Sequence, residues 1–248
     1  MSVRYLILSD IHANLDALEA VLAHASGAWD QVLVLGDLVG YGAEPNQVMD
    51  RVRELKPAAV IRGNHDKAAC GIDDGSQFNH VARLAAAWTG EQLTDENRDY
   101  LRKLPIGPVQ IDPTLEICHG APFDEDHYIF DGADARLALQ SATRPLCLFG
   151  HTHLPVMFRI LGDALAGAPP DPDVETALPI EPDGQYLVNV GSVGQPRDGD
   201  PRAAYGILDE SARELRLRRV AYPVEGAQRK ILAAGLPASL ANRLALGR

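Results

Sequence analysis

No apolar run in this 248-residue chain approaches the ~18–20 residues that a membrane-spanning helix needs. The opening MSVRYLILSDIHAN has one arginine and a short apolar run broken by Asp10 and His12. It lacks the hydrophobic region and cleavage site of a secretory signal, and reads as a first strand. Positive charge is scarce as well. The 23 Lys and Arg against 34 Asp and Glu give a formal charge of −11, which argues against non-specific nucleic-acid binding, because that needs a basic surface. A small anionic substrate held at a local metal site remains compatible with that charge. The three cysteines, Cys70, Cys118 and Cys147, show no paired spacing. Cys118 and Cys147 sit in apolar runs and are expected to be buried thiols, which points to a reducing cytoplasm. There is no internal repeat. No membrane partner is expected, and nothing in the sequence counts subunits.

What is present is the rhythm of an α/β protein. With 46% hydrophobic and 23% charged residues the composition is that of an ordinary soluble protein, long enough for one α/β domain or two. Tyr5–Leu8 is a short apolar run ending in Ser9-Asp10-Ile11-His12. Asn14 is a good N-cap for a helix whose Leu15, Leu18, Val21 and Leu22 share one face. Gln31–Leu35, a second apolar run, stops at Gly36-Asp37 and completes a βαβ unit. A helix is predicted from about Pro45 to Leu55, then a third strand at Ala59–Ile61 ending in Arg62-Gly63-Asn64-His65-Asp66. Helical spacing at Phe78–Gln92, and a Thr94-capped helix stopped by Pro105, suggest a helical insert at about 76–104 beside the site opening. Strands at Val109–Ile111 and Leu115–Cys118 lead to His119-Gly120. A helix is expected near Ala133–Gln140, and a strand at Leu146–Phe149 leads to Gly150-His151-Thr152-His153. The stretch 162–184, rich in Ala, Pro and Asp, reads as a long loop or elaborated hairpin within a single 1–248 domain. Strands at Gln185–Val190, Ala204–Leu208 and Leu215–Val220 follow, and the C-terminus looks helical with a break at Gly235-Leu236-Pro237.

Several strands therefore end in residues of metal-ligand type, and five of the eight histidines lie at these ends. Carboxylates at the C-terminal ends of parallel strands lie where open α/β sheets bind ligands. A carboxylate has two oxygens, so Asp37 can bridge two cations. A mixed carboxylate, imidazole and amide set without thiolates suits Mn²⁺, Fe, Zn²⁺, Co²⁺ or Ni²⁺ better than Ca²⁺, and argues against a structural zinc site. The adjacent glycines are expected to let the backbone turn sharply. Arg197 is balanced between reaching a substrate phosphate and pairing with Asp198 or Asp200; Arg62 leans to a structural role. Asp66 is expected to hold its loop. Tyr41 and Phe123 are candidates for a substrate wall, while Trp88 and Tyr100 read as core. His24, His80 and His127 stand outside the clusters.

In order, the motifs are D-x-H at Asp10 and His12, G-D-x-x-G at Gly36 to Gly40, G-N-H-D at Gly63 to Asp66 and G-H-x-H at Gly150 to His153. This set resembles the calcineurin-like metallophosphoesterase superfamily. The later stretch Asn189–Arg197, with Asp200–Tyr205, looks like its bacterial and archaeal branch of predicted phosphodiesterases. The resemblance implies an α/β fold, a two-layer mixed β-sandwich flanked by helices, with two divalent transition-metal ions at the strand ends, Mn²⁺ first among the candidates. It implies Asp10, His12 and His153 on one ion, Asn64, His119 and His151 on the other, and Asp37 between them. His65 becomes the general acid or phosphoryl-oxygen donor. The implied reaction is attack on phosphorus by a metal-bridging hydroxide, with a small, nucleotide-like phosphorylated substrate. A departure bears on substrate choice. Where the protein phosphatases of the superfamily read G-D-x-V-D-R-G, this chain has Gly40 and Tyr41, so the His-orienting Asp and a phosphate-gripping Arg are missing. That favours a phosphodiesterase over a phosphomonoesterase or nucleotidase. A dinucleoside polyphosphate hydrolase stays open, as does a non-catalytic scaffold on the same fold.

Overall fold

The computed structural model describes residues 3–171 and 175–248; 172–174, within the stretch read as a loop or hairpin, lie outside the described residues. Along the chain the elements are β1 (Arg4–Leu8), α1 (Leu15–His24), β2 (Gln31–Val34), α2 (Pro45–Glu54), β3 (Ala59–Val60), α3 (Asn64–Ala69), α4 (His80–Gln92) and α5 (Asp95–Lys103). After these come β4 (Val109–Gln110), β5 (Leu115–Ile117), α6 (Gly132–Ser141), β6 (Leu146–Phe149), β7 (Val156–Leu161), β8 (Ala164–Ala168) and β9 (Thr176–Pro179). The last are β10 (Gln185–Asn189), β11 (Ala203–Asp209), β12 (Glu214–Val220), α7 (Val224–Ala233) and α8 (Ala238–Leu244).

The strands form two mixed sheets, in the orders β3-β2-β1-β11-β12-β9 and β4-β5-β6-β10-β7-β8. β1 pairs parallel to β2 and antiparallel to β11; β10 pairs parallel to β6 and antiparallel to β7. Side-chain alternation along each strand assigns the layers. Tyr5 and Ile7 of β1, Leu33 of β2, Leu146 and Leu148 of β6, and Tyr186 and Val188 of β10 pack together between the sheets. Leu6, Leu8, Val32 and Val34 point the other way, onto Ala17, Leu18 and Val21 of α1 and Val48 and Val52 of α2. On the far side Cys147, Phe149 and Leu187 pack on Ala135, Ala138 and Leu139 of α6. Strands buried on both faces need apolar residues at every position, which is why these runs show no polar alternation. The result is the expected two-layer mixed sandwich flanked by helices.

Some local expectations change. Gly63 N-caps α3, so the Asn64–Asp66 stretch read as a strand-end loop is the first turn of a helix, with Asp66 Oδ2 accepting the Gly63 N–H at 3.0 Å. β7, apolar at five of its six positions though only partly buried, pairs with β10 and turns into β8. β9 returns to the other sheet and pairs with β12. Cys118 and Cys147, unrelated in spacing, end 3.6 Å apart as free buried thiols because β5 and β6 run side by side.

Leu148 is fully buried between the sheets, two residues before Gly150. Leu148→Ala is expected to lower unfolding free energy by about 2–5 kcal/mol. Ile72→Ala, at a position 45% exposed, should change it by less than about 0.5 kcal/mol. Denaturant midpoints of the two variants measure the contrast.

Candidate metal centre

β1, β2 and β3 run parallel, as do β5, β6 and β10, so the C-terminal ends of both sets carry their polar residues to one edge of the sandwich. Asp10 and His12 follow β1, Asp37 follows β2, Asn64 and His65 follow β3, His119 follows β5, and His151 and His153 follow β6. All are buried. The sharp turns are made largely by these residues themselves. Asp10, His12, Asp37, His151 and His153 have φ between 49° and 66°, the left-handed region that costs a non-glycine residue about 1–2 kcal/mol. Two of the neighbouring glycines do a different job from the turning expected of them. Gly63 and Gly150 have no positive φ, but a Cβ on either would collide with a site side chain, Asp37 Oδ1 or Ser9 Oγ respectively.

Backbone carbonyls fix the ring tautomers. His12 Nδ1 donates to Val39 O (3.0 Å), His153 Nδ1 to Gln195 O (2.6 Å) and His119 Nδ1 to Leu35 O (2.8 Å). His151 uses Nε2 to donate to Asp126 O (3.0 Å). A carbonyl only accepts, so each ring keeps its other nitrogen as a lone pair when neutral. The freed atoms converge. His12 Nε2 and His153 Nε2 face each other at 3.0 Å, and with both Nδ1–H groups given to carbonyls the pair is suited to hold a metal ion or a shared proton. Asp37 Oδ2 lies 3.5 Å from His12 Nε2 and 3.4 Å from His119 Nε2; Asp10 Oδ1 lies 3.4 Å from His153 Nε2. Asn64 Oδ1 sits 3.3 Å from His119 Nε2. Two groups of possible ligand atoms result, Asp10, His12, Asp37 and His153 in one and Asp37, His119 and His151 in the other, with Asp37 common to both. This donor set fits two divalent ions, and outer-shell carbonyls on the ligand imidazoles are the arrangement such sites use to set ring orientation.

The electrostatics agree. Burial pushes His12 and His153 well below the usual imidazole range and His151 to about 3, leaving their lone pairs free. Burial works against charge on His119, yet the carboxylates of Asp37 and Asp10 lift it to about 10, so this pocket attracts positive charge. Burial also opposes the Asp37 carboxylate, but His119, His65 and His12 hold it well below the normal range. Asp10 is lifted to about 6 by burial, with His119 opposing and Asp37 reinforcing the rise.

His65 stands beside this cluster without a carboxylate partner. Its backbone N–H donates to Asp37 Oδ1 (2.9 Å), but its buried Nδ1 has no hydrogen-bond partner. The ring is held by other rings: Phe78 stacked at 4.6 Å, Tyr41 at 4.2 Å and the edge of His12 at 4.9 Å. Gly40, at φ +88°, lies so close that a Cβ there would be 2.6 Å from His65 Nδ1. No acidic side chain can stand at position 40 without displacing the imidazole. Asp66 holds the loop, accepting the N–H groups of Val39 and Gly63. Arg62 is engaged by Glu125 through two hydrogen bonds. Arg197 is not taken up by Asp198 or Asp200, which pair with Arg219 and with Arg202 and Arg219; it contacts Tyr41 OH and Gln195 Oε1, each at 3.4 Å. Tyr128, which the sequence did not single out, stacks on His151 at 3.8 Å. Phe123 instead meets His127, at 4.9 Å. His24 bonds Tyr205 OH and His127 faces Asp134, and neither belongs to the two groups of ligand atoms. No helix among the described residues is long and apolar enough to cross a membrane.

Two measurements follow. Gly40→Ala should destabilise the protein by about 1–3 kcal/mol through overpacking and turn His65 from its place, seen in a crystal structure of the variant. Metal-stripped protein should gain about 2.7 kcal/mol of stability for each ion bound when free Mn²⁺ is raised to 100 times that site's Kd, read from the thermal midpoint, and Asp37→Ala should lose most of that gain.

Comparison with known proteins agrees with the geometry. Residues 3–213 match the family model of the calcineurin-like phosphoesterase superfamily domain. A crystal structure of a metallophosphoesterase from Sphaerobacter thermophilus is 42% identical, with a TM-score of 0.88 over 100% of both chains. The protein MJ0912 of Methanocaldococcus jannaschii is 34% identical over 98% of this chain and 97% of its own length. A symmetrical bis(5'-nucleosyl)-tetraphosphatase of Hamiltonella defensa is 28% identical over 64% of this chain and 61% of its own length. The chain belongs to the calcineurin-like phosphoesterase superfamily.

Proposed function

We propose that this phosphoesterase hydrolyses a phosphodiester-type bond in a small, nucleotide-like substrate, using two divalent transition-metal ions with Mn²⁺ first among the candidates. The observation that carries the reading is the sharing of Asp37 between two groups of buried ligand atoms, with His65 packed beside them. Asp10, His12 and His153 would hold one ion and Asn64, His119 and His151 the other, with Asp37 common to both. When bound, such ions clamp phosphate oxygens and make water a usable nucleophile near neutral pH.

The chain's own residues supply the rest. His65 gives a ring N–H to the phosphoryl or leaving oxygen, and its ring packing keeps it in place where a carboxylate would otherwise orient it. Phe78 and Tyr41 wall the imidazole from water. Tyr41 also carries Arg197 to the rim of the site. Preference for a diester is supported by what Gly40 and Tyr41 replace: a diester carries one negative charge fewer than a monoester and needs fewer arginines to neutralise it. A second reading, hydrolysis of a dinucleoside polyphosphate, draws on the similarity to a symmetrical tetraphosphatase. The scaffold reading is disfavoured because the sequence keeps His65 and every candidate ligand. Free thiols at Cys70, Cys118 and Cys147 support a reducing cytoplasmic setting.

Metal-stripped protein resupplied with Mn²⁺, Ni²⁺, Co²⁺, Zn²⁺ or Mg²⁺ should turn over bis-p-nitrophenyl phosphate faster than p-nitrophenyl phosphate. His65→Ala should cut kcat by about 10²–10⁴-fold while metal content stays at the wild-type value. Turnover with the monoester preferred would refute the diester assignment. Absence of turnover with every metal, in protein that binds two ions, would favour the scaffold.

A further inference from the structure

A second positive feature lies one ring away from the metal centre. α8, which the break at Gly235 separates from α7, is anchored through its buried Leu240, Ala241 and Leu244, and Gln228 of α7 donates to Ala241 O (2.9 Å). α7 is in turn tied down by Lys230, which bonds Asp16 of α1 and Glu44 at 2.9 Å each. This docking brings Arg243 of α8 to Tyr41, with its guanidinium carbon 5.8 Å from the ring centroid. Arg197 sits at 5.9 Å from the same ring. Both arginines reach Gln195 Oε1 at 3.4 Å.

Two guanidiniums on one ring, sharing one neutral acceptor, is an arrangement that like charges resist. Neither has a carboxylate within ion-pair distance among the described residues, although the chain carries an excess of 11 acidic groups. Their contacts to Gln195 and Tyr41 OH are long, and Arg197 Nε is buried without a partner. Burial and the Arg197 charge both push the Arg243 guanidinium below its usual pKa. The Tyr41 ring they flank stands 4.7 Å from the His12 ring and 4.2 Å from the His65 ring. Both arginines thus stand one aromatic ring away from His12 and His65, and Arg is the side chain best shaped to grip phosphate oxygens in pairs.

The geometry points to a subsite, formed by Arg197 and Arg243 around Tyr41, that binds a second phosphoryl group adjoining the one at the metal centre. The substrate class is then a phosphoanhydride chain: these arginines serve the second phosphoryl group, while the group at the candidate metal centre still lacks the arginine that Tyr41 replaces. This inference rests on the hydrolase reading for its neighbouring phosphoryl group, but Arg243 belongs to no motif of that reading.

The test is calorimetric binding of methylenediphosphonate against methylphosphonate to the full, metal-loaded chain. The diphosphonate should bind at least about tenfold more tightly, and Arg243→Gln or Arg197→Gln should each weaken it by about 10–100-fold, with a much smaller effect on the monophosphonate. In the unaltered protein, the diphosphonate should protect both arginines from phenylglyoxal, mapped by mass spectrometry; this readout stands if a variant does not fold. Tighter binding of the α,β-methylene analogue of ADP than of methylenediphosphonate would assign the chain to a nucleotide, and equal binding to an inorganic polyphosphate. An unchanged affinity ratio in Arg243→Gln, or undiminished labelling of both arginines, overturns the subsite. If that happens in protein that hydrolyses bis-p-nitrophenyl phosphate, the hydrolase reading stands without it. An arginine-dependent ratio in protein without turnover leaves the subsite and removes the hydrolase.

Discussion

Imidazole nitrogens turned toward each other, two buried carboxylates and the Asn64 amide oxygen are the constraint around which this structure is arranged. His12 and His153 oppose their Nε2 atoms at 3.0 Å because Val39 O and Gln195 O have taken the other ring hydrogens. Those carbonyls come from the G-D-x-x-G loop and from the Gly191–Arg197 loop, so the loops must be held for the rings to be held. Val39 is fixed through Asp66, and the Gly191–Arg197 loop through Ser192 Oγ on Asp10 O (2.8 Å) and Asn14 Nδ2 on Gly194 O (2.9 Å). The same Asn14 caps α1 through the Ala17 N–H. Site geometry and helix start therefore share a side chain.

Much of this was legible in the sequence because parallel strands leave a strong signature. Apolar runs stopping at Asp37, His119 or His151 announce both a buried strand and the polar group at its end, and the N-caps at Asn14 and Thr94 read as the structure has them. What was hidden lies in groups that carry no sequence signal. The carbonyls that choose the tautomers belong to Leu35, Val39, Asp126 and Gln195, and any residue has a carbonyl. The left-handed conformation of five ligand-type residues is imposed by tertiary packing against their own preference. Gly40 looked like a lost acid; in three dimensions it is the space that His65 fills. Phe78 had only helical spacing to recommend it, and Arg243 sits in a C-terminal helix more than 200 residues from Tyr41 in sequence, where a surface arginine is unremarked.

The packing of His65 by rings shows another way to hold an imidazole in place. A carboxylate partner orients an imidazole and raises its basicity; aromatic neighbours orient it without adding charge. Burial then holds His65 near a pKa of about 4, with Asp37 pulling the other way and Arg197 and His119 adding to the depression. The site trades one acidic side chain for a tighter fit. Arg197 and Arg243 bring the positive charge back at a neighbouring point, supplied by a loop and by the last helix.

The central claim is that Asp37 is shared by two cations. Anomalous diffraction from crystals grown with Mn²⁺ tests it most directly. Two peaks per chain, one on each side of the Asp37 carboxylate and each within coordination distance of its own imidazoles, are the predicted result. A single peak, or two peaks of which one lies away from Asp37, would contradict it.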